Sequence, residues 1–322
     1  MGKEKKYFFA LADFVDGVKG NCTEDVVQSF REYLKSDYTD KEFCKLLSCA
    51  GFIPDLYPSD SSEETLFSKF VEILVAEWAE RMNFESRIVK TKGSYEDIDI
   101  TVENAVIVCD AKSFRLGRSQ QAPNVKDFLK PADIKKWLSR YKNGLGGLVT
   151  YPDTHDWGKS SDVYLYCTDK NCPTIILSYI HLALLLHFRR KKSTKKLKKL
   201  WDYEKLFPEP LKKNVDGGNR LAYWKAVNGE ICSILKISES DFCAYFEKCK
   251  NLQFKCIRKN IEKLQEIKTQ TIKNIENECE KLSEEELRKE FVKYKIKAET
   301  SRIDEFIDRI RKFRLNEIES DG

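Results

Sequence analysis

Histidine is scarce in this chain and closely spaced cysteine pairs are missing. There are three histidines, His155, His181 and His187, and the eleven cysteines contain no Cys-x-x-Cys. A zinc centre needs such ligands at short spacing, so zinc chemistry is set aside. An odd number of cysteines argues against a disulfide framework and for reduced thiols. No apolar run approaches the ~20 residues that cross a bilayer. The start, Met1-Gly2-Lys3-Glu4-Lys5-Lys6, is charged and no apolar leader follows it. Lys6 stands where a myristoylated chain carries Ser or Thr. The expectation is an intracellular, cytoplasmic protein with no membrane partner. Gly144, Gly146 and Gly147 are not followed by Gly-Lys-Ser/Thr, so they read as a turn and not as a phosphate loop.

What is present suits a large globule. The 322 residues are 41% hydrophobic and 12% aromatic, enough for a sizeable core. The net charge of +5 is mild and permits a nucleic-acid partner without arguing for one. Residues 7 to 50 predict two or three helices from their three- and four-residue apolar spacing. Turns follow at Gly51-Phe52-Ile53-Pro54 and Pro58-Ser59-Asp60. Ser61 and Glu64 have the spacing of a capping box. Beyond them Phe67, Phe70, Val71, Leu74, Val75, Trp78 and Met82 form one helical stripe that should lie on a sheet.

Strand signals come next: 87–90, 97–102 and 105–113, the last two as a hairpin. A helix is predicted over 126–142. Further strands are predicted at 146–150, 162–167 and 174–177, and a helix at 181–188. After about residue 190 the strand signals stop, and 253–315 is rich in Lys, Glu, Ile and Leu and strongly helical. The reading is an α/β (α+β) fold, a mixed sheet flanked by helices. It divides into an N-terminal helical region (1–60), a core that carries the chemistry (61–190) and a helical C-terminal region (191–322) packed on that core as one domain.

Chemistry concentrates between Glu96 and Lys112. Along a strand alternate side chains share a face, so Asp110 and Lys112 point one way and Cys109 and Ala111 the other. If the hairpin turns through Glu103 and Asn104, Val102 opposes Ala105 and Asp97 opposes Asp110. Opposed Cβ atoms stand roughly 4.5–5.5 Å apart. Two carboxylates that close repel unless a cation sits between them. Oxygen-only ligands completed by water suit Mg²⁺, with Mn²⁺ able to substitute. Such a cation lowers the pKa of water and polarises a phosphate, and the Lys112 ammonium can stabilise developing charge. Asp99 shares the face but opposes Val108, which favours Asp97. The plainer reading of these residues is an edge hairpin with polar ends and a surface ion pair.

An acidic residue, a short gap and Asp-x-Lys closing an apolar strand form the pattern of the PD-(D/E)xK nucleases. The segment Asp110-Ala111-Lys112-Ser113-Phe114-Arg115-Leu116, followed by Lys126-Asp127-Phe128, closely resembles the HindIII family of type II restriction endonucleases. The likeness extends to Gly51-Phe52-Ile53-Pro54, Leu66-Phe67-Ser68-Lys69, Leu177-Ser178-Tyr179-Ile180-His181-Leu182-Ala183 and Ile303-Asp304-Glu305-Phe306-Ile307. It spans most of the chain from about residue 45.

The resemblance implies a PD-(D/E)xK core and a homodimer that cuts both strands of double-stranded DNA at a short palindrome, AAGCTT being the first candidate. It implies Mg²⁺ as cofactor, 5′-phosphate products and a companion DNA methyltransferase acting on the same site. Asp97 and Asp110 become metal carboxylates, the Ala111 carbonyl a further ligand and Lys112 the catalytic lysine. Folds of this kind also take an acid from the first core helix, where Glu72 is preferred to Glu77. Arg115, Arg118, Gln120, Gln121, Asn124 and Lys126, in the basic stretch after Lys112, are the candidate DNA contacts. The basic run 189–199 reads as a mobile loop. The alternatives are a structure-specific repair or recombination nuclease and a non-catalytic DNA-binding protein on the same fold.

Overall fold

The computed structural model describes residues 7, 9–18, 23–89, 95–116, 123–154, 157–158, 161–167, 169–190, 194–216 and 219–312, without the side chains of 210, 211, 216, 302 and 304–312. The chain falls into two compact units, residues 1–259 and 260–322.

The first unit begins with three helices, α1 (Ala10–Val18), α2 (Glu24–Asp37) and α3 (Asp40–Ser48). Thr23 caps α2, and Thr39 with Glu42 closes a full capping box on α3. A short strand β1 (Phe52–Ile53) leads into α4 (Ser62–Arg81), which packs on strands β2 (Glu85–Ile88), β3 (Ile98–Val102) and β4 (Ala105–Ala111). The apolar stripe of α4 is buried as expected, from Phe67 and Phe70 to Trp78 and Met82. Its cap differs. The Ser61 hydroxyl accepts from the Glu64 N–H at 3.2 Å, but the Glu64 carboxylate turns to the Asp60 N–H at 2.8 Å and to Arg115 at 3.0 Å.

β2–β3–β4 run antiparallel, and β4 continues in parallel to β6 (Gly144–Tyr151) and β7 (Thr174–Ser178), giving the order β2-β3-β4-β6-β7. The predicted hairpin register holds: Val102 pairs with Ala105 and Ile98 with Cys109. Glu103 takes the positive φ of 59° that the tight turn requires. After β4, the two-residue strand β5 (Phe114–Arg115) pairs in parallel with β1.

Three predicted elements change character. The helix expected over 126–142 divides into α5 (Val125–Phe128) and α6 (Pro131–Leu138). Pro131 lacks an N–H and pushes the preceding residue out of the helical region; Lys130 has φ −115° and ψ 83°. The strand expected at 162–167 is a helix, α7 (Asp162–Tyr166), capped by the Ser161 hydroxyl, and Val163 and Tyr164 are buried side by side rather than in alternation. Gly144, Gly146 and Gly147 belong to β6 rather than to a turn. A Cβ on Gly147 would stand 2.7 Å from Ile134, so its absence lets α6 lie close to the strand.

After β7, α8 (Tyr179–His187) packs on α3. The basic run is ordered where it is described. Residues Thr194–Trp201 form a 3-10 helix that buries Leu197, Leu200 and Trp201. Lys198 and Lys195 pair with Glu103 at 2.7 and 3.8 Å, so these lysines fasten the segment to the hairpin turn instead of leaving a mobile loop. Short helices α9 (Tyr203–Leu206) and α10 (Glu209–Asp216) precede α11 (Arg220–Leu235) and α12 (Glu239–Cys279). The start of α12 joins the core through Phe242 and Cys256. The second unit holds the end of α12 and α13 (Glu284–Lys312), with Phe291, Val292, Tyr294 and Ile296 all exposed. No helix among the described residues is long and apolar enough to cross a membrane.

Candidate active site

The hairpin delivers its acids to the end of the sheet where β4 stops. Asp97 is the residue before β3; its N–H donates to the Cys109 carbonyl at 3.0 Å, just beyond the last paired position, Ile98 with Cys109. Its carboxylate accepts from the Ala111 N–H at 2.8 Å. Lys112, one residue past β4, reaches the Asp110 carboxylate at 2.7 Å. Its own N–H donates to the Thr150 carbonyl at 2.8 Å, fixing the backbone against β6.

Helix α4 contributes Glu72, partly buried and bonded to Lys69 at 2.5 Å. Burial raises the Glu72 carboxyl; Lys69 opposes that rise, and Asp110 adds to it. Asp97 is raised well above the usual carboxylate range, by burial first and then by the charges of Asp110 and Glu72.

Glu77, the other helix candidate, points elsewhere: it is buried against Arg81 at 2.8 Å, with Lys35 at 4.0 Å. Five positions separate the two glutamates, so they face different sides of α4. Asp99 is also taken. Arg87 donates to it twice, at 2.9 and 2.5 Å, and the Tyr141 hydroxyl stands 2.6 Å away.

The segment behind Lys112 is held by parts that sequence reading passed over. The Tyr179 hydroxyl donates to the Lys112 carbonyl at 2.8 Å, and the Phe114 N–H to the Gly51 carbonyl at 2.8 Å. Gly51 has φ +82°, and a Cβ there would lie 2.5 Å from the Tyr179 ring and 2.8 Å from Pro152. Only glycine fits. Lys69 was also passed over. Its signal was its position three residues before Glu72, one helical turn away.

Among the described residues, no three His, Cys, Asp or Glu side chains converge closely enough to enclose a metal ion. The fit to a cation rests on charge and donor type. Three carboxylates meet two ammonium groups, and all the acidic donors are oxygen. Mg²⁺ retains several waters and takes one or two carboxylates, so it needs no ready-made cage. The buried Ser113 hydroxyl, beside Lys112, has no hydrogen-bond partner among the described residues, which is unusual for a buried polar group.

Of the candidate DNA contacts, Arg118, Gln120 and Gln121 lie outside the described residues. Arg115 is turned inward, donating to the carbonyls of Pro54 at 3.0 Å and Tyr57 at 2.8 Å. Asn124 caps α5 through the Lys126 N–H at 3.0 Å, and the Lys126 side chain is exposed.

The family model of the HindIII restriction endonuclease matches residues 13–306. The type II restriction enzyme HindIII of Haemophilus influenzae is 30% identical over 169 residues, 51% of this chain and 53% of the relative. That alignment spans about half the length of each protein.

Proposed function

The chain belongs to the HindIII restriction endonuclease family, and on that premise we propose that it is a type II site-specific deoxyribonuclease. It hydrolyses one phosphodiester per strand of a short palindrome in double-stranded DNA. The observation that carries this reading is the Asp110–Lys112 ion pair at the end of β4, with the Asp97 carboxylate on the Ala111 N–H between them in sequence.

Asp97 and Asp110 would hold Mg²⁺, or Mn²⁺ in its place, with the Ala111 carbonyl as a further ligand. A bound divalent cation supplies phosphate polarisation and a water of lowered pKa. The chain does the rest. Asp97 is aligned by the Ala111 N–H, and Lys112 by the Tyr179 hydroxyl and the Thr150 carbonyl behind its backbone. The Lys112 ammonium, 2.7 Å from Asp110, would orient the attacking water and stabilise charge developing on the phosphate. Glu72 assists by accepting from water, with Lys69 holding its orientation. The products carry 5′-phosphates.

AAGCTT is the first palindrome to test, since the family likeness runs through the Asp110–Leu116 and Lys126–Phe128 segments. Arg118, Gln120, Gln121, Asn124 and Lys126 are the group from which DNA contacts are drawn, Arg115 being bonded inward. The enzyme works as a homodimer, which suits two-strand cleavage of a symmetric site, and in its host it is accompanied by a methyltransferase that protects the same palindrome.

The test is digestion of a sequenced plasmid with purified protein and Mg²⁺, beside Asp110→Ala and an EDTA control. Discrete metal-dependent fragments, lost in the variant, are the expected result, and their ends give the site. Intact plasmid with either metal, despite retained DNA binding, overturns the enzyme reading.

A further inference from the structure

The two acids that flank Asp97 in sequence do not join it. Glu96 and Asp99 are 3% and 5% exposed, and each is met by cations and by one shared phenol. Glu96 accepts from Arg140 Nη1 at 2.8 Å and from the Tyr141 hydroxyl at 2.7 Å. Asp99 accepts from Arg87 Nε at 2.9 Å and Nη2 at 2.5 Å, and the same Tyr141 hydroxyl stands 2.6 Å from its other oxygen. Arg140 also lies over the Tyr95 ring, 3.8 Å from its centre. Tyr141 thus bridges the residues one before and two after Asp97, and ties them to β2 through Arg87 and to the end of α6 through its own backbone.

That bridge answers a mechanical need. Asp97 sits just outside β3, and its carboxylate is repelled by Asp110 and Glu72. Its N–H reaches Cys109 and its carbonyl Val89, each at 3.0 Å, and its carboxylate takes the Ala111 N–H at 2.8 Å. The ladder with β4 ends at Ile98, so the aim of the Asp97 side chain depends on how the residues to either side of it are held. Glu96 and Asp99 are the anchors, and burial of their carboxylates makes the anchorage stiff.

We propose that Tyr141, with Arg87 and Arg140, is a positioning residue for Asp97, holding the first metal carboxylate in line with Asp110 through its grip on Glu96 and Asp99. The proposal rests on the nuclease reading of the site. Tyr141 touches no reacting group; it acts through the strand. Its removal weakens cation binding and slows turnover while leaving DNA affinity intact, whereas a purely structural role lowers the melting temperature alone.

The experiment is a Mn²⁺ titration followed by electron paramagnetic resonance on wild type, Tyr141→Phe and Arg87→Met. Steady-state plasmid cleavage and thermal melts are run on the same samples. Wild type binds Mn²⁺. Tyr141→Phe binds it about tenfold more weakly, with lower kcat, a KM for DNA within about twofold of wild type, and a rate largely restored by excess Mn²⁺. Arg87→Met, whose guanidinium is mostly exposed and whose loss disturbs the core less, shows the same signature more weakly. Variants that melt lower yet bind Mn²⁺ and turn over as wild type does overturn the positioning role. A wild type that binds no Mn²⁺ overturns the nuclease reading beneath it, and that arm is read first.

Discussion

Two acidic clusters lie within a few residues of each other on the β3–β4 hairpin, and they differ in how their charge is met. Glu96 and Asp99 are each paired with an arginine, Arg140 and Arg87, and share the single proton of the Tyr141 hydroxyl. Asp110 and Glu72 are paired with Lys112 and Lys69, Asp97 accepts the Ala111 N–H, and burial pushes Asp97 well above the usual carboxylate range. The same contrast runs along α4, where Glu77 is locked to Arg81 while Glu72 reaches the under-neutralised group. A satisfied cluster stabilises a fold. An under-satisfied one raises the energy of the unliganded state and so favours a cation.

The sharpest break of this comparison is in activity. Asp110→Asn and Lys112→Ala should each lower plasmid cleavage by about 10³-fold while gel-shift affinity for DNA stays near wild type. Equal loss of binding would move these residues from catalysis to DNA contact. Gly51→Ala comes next. A Cβ 2.5 Å from the Tyr179 ring must displace the strut under Lys112, at about 1–3 kcal/mol. A lower melting temperature and a slowed rate are expected together, and an unchanged rate would detach Tyr179 from the site.

The two glutamates of α4 separate the clusters directly. Glu77→Gln removes half of a buried ion pair and should cost about 3 kcal/mol in urea unfolding, with cleavage preserved in the folded protein. Glu72→Gln should do the reverse, slowing cleavage while the metal-free protein melts at or above the wild-type temperature. If the two exchange behaviours, the assignment of Glu72 fails.

A third buried polar cluster serves as the control without net charge. His181 accepts from the Ser178 hydroxyl at 2.8 Å through Nδ1 and meets Asn228 at 3.1 Å through Nε2, and burial pushes its pKa down from 6.5 to about 3. The unfolded chain then binds the extra proton first as pH falls. This contribution is whole above about pH 6.5, and each unit lost toward pH 3 removes up to about 1.4 kcal/mol. Stability of wild type and His181→Gln, compared between pH 7 and 5.5, should converge on acidification. Parallel curves would show that the imidazole is reachable by solvent.

Local pattern was enough for much of this. The α4 stripe and the hairpin with its turn at Glu103–Asn104 were legible because strand and helix periods decide which side chains share a face. Local propensity failed at 162–167, where Val, Tyr and Leu suggested a strand but Ser161 capped a helix. It failed again over 126–142, where a continuous pattern hid the break at Pro131. The basic run 189–199 looked like a loop because charge was visible in the sequence and its partner, Glu103, lay far from it.

The sequence by itself determined the hairpin register and the chemical identity of the acids and the lysine it carries, since both follow from residue order and strand geometry. Tertiary structure alone decided that Glu77 is bound to Arg81, that Asp99 is bonded away by Arg87 and Tyr141, and that Gly51 must leave room for Tyr179. Those outcomes depend on which distant elements pack together, and long-range packing leaves no period in the chain to read.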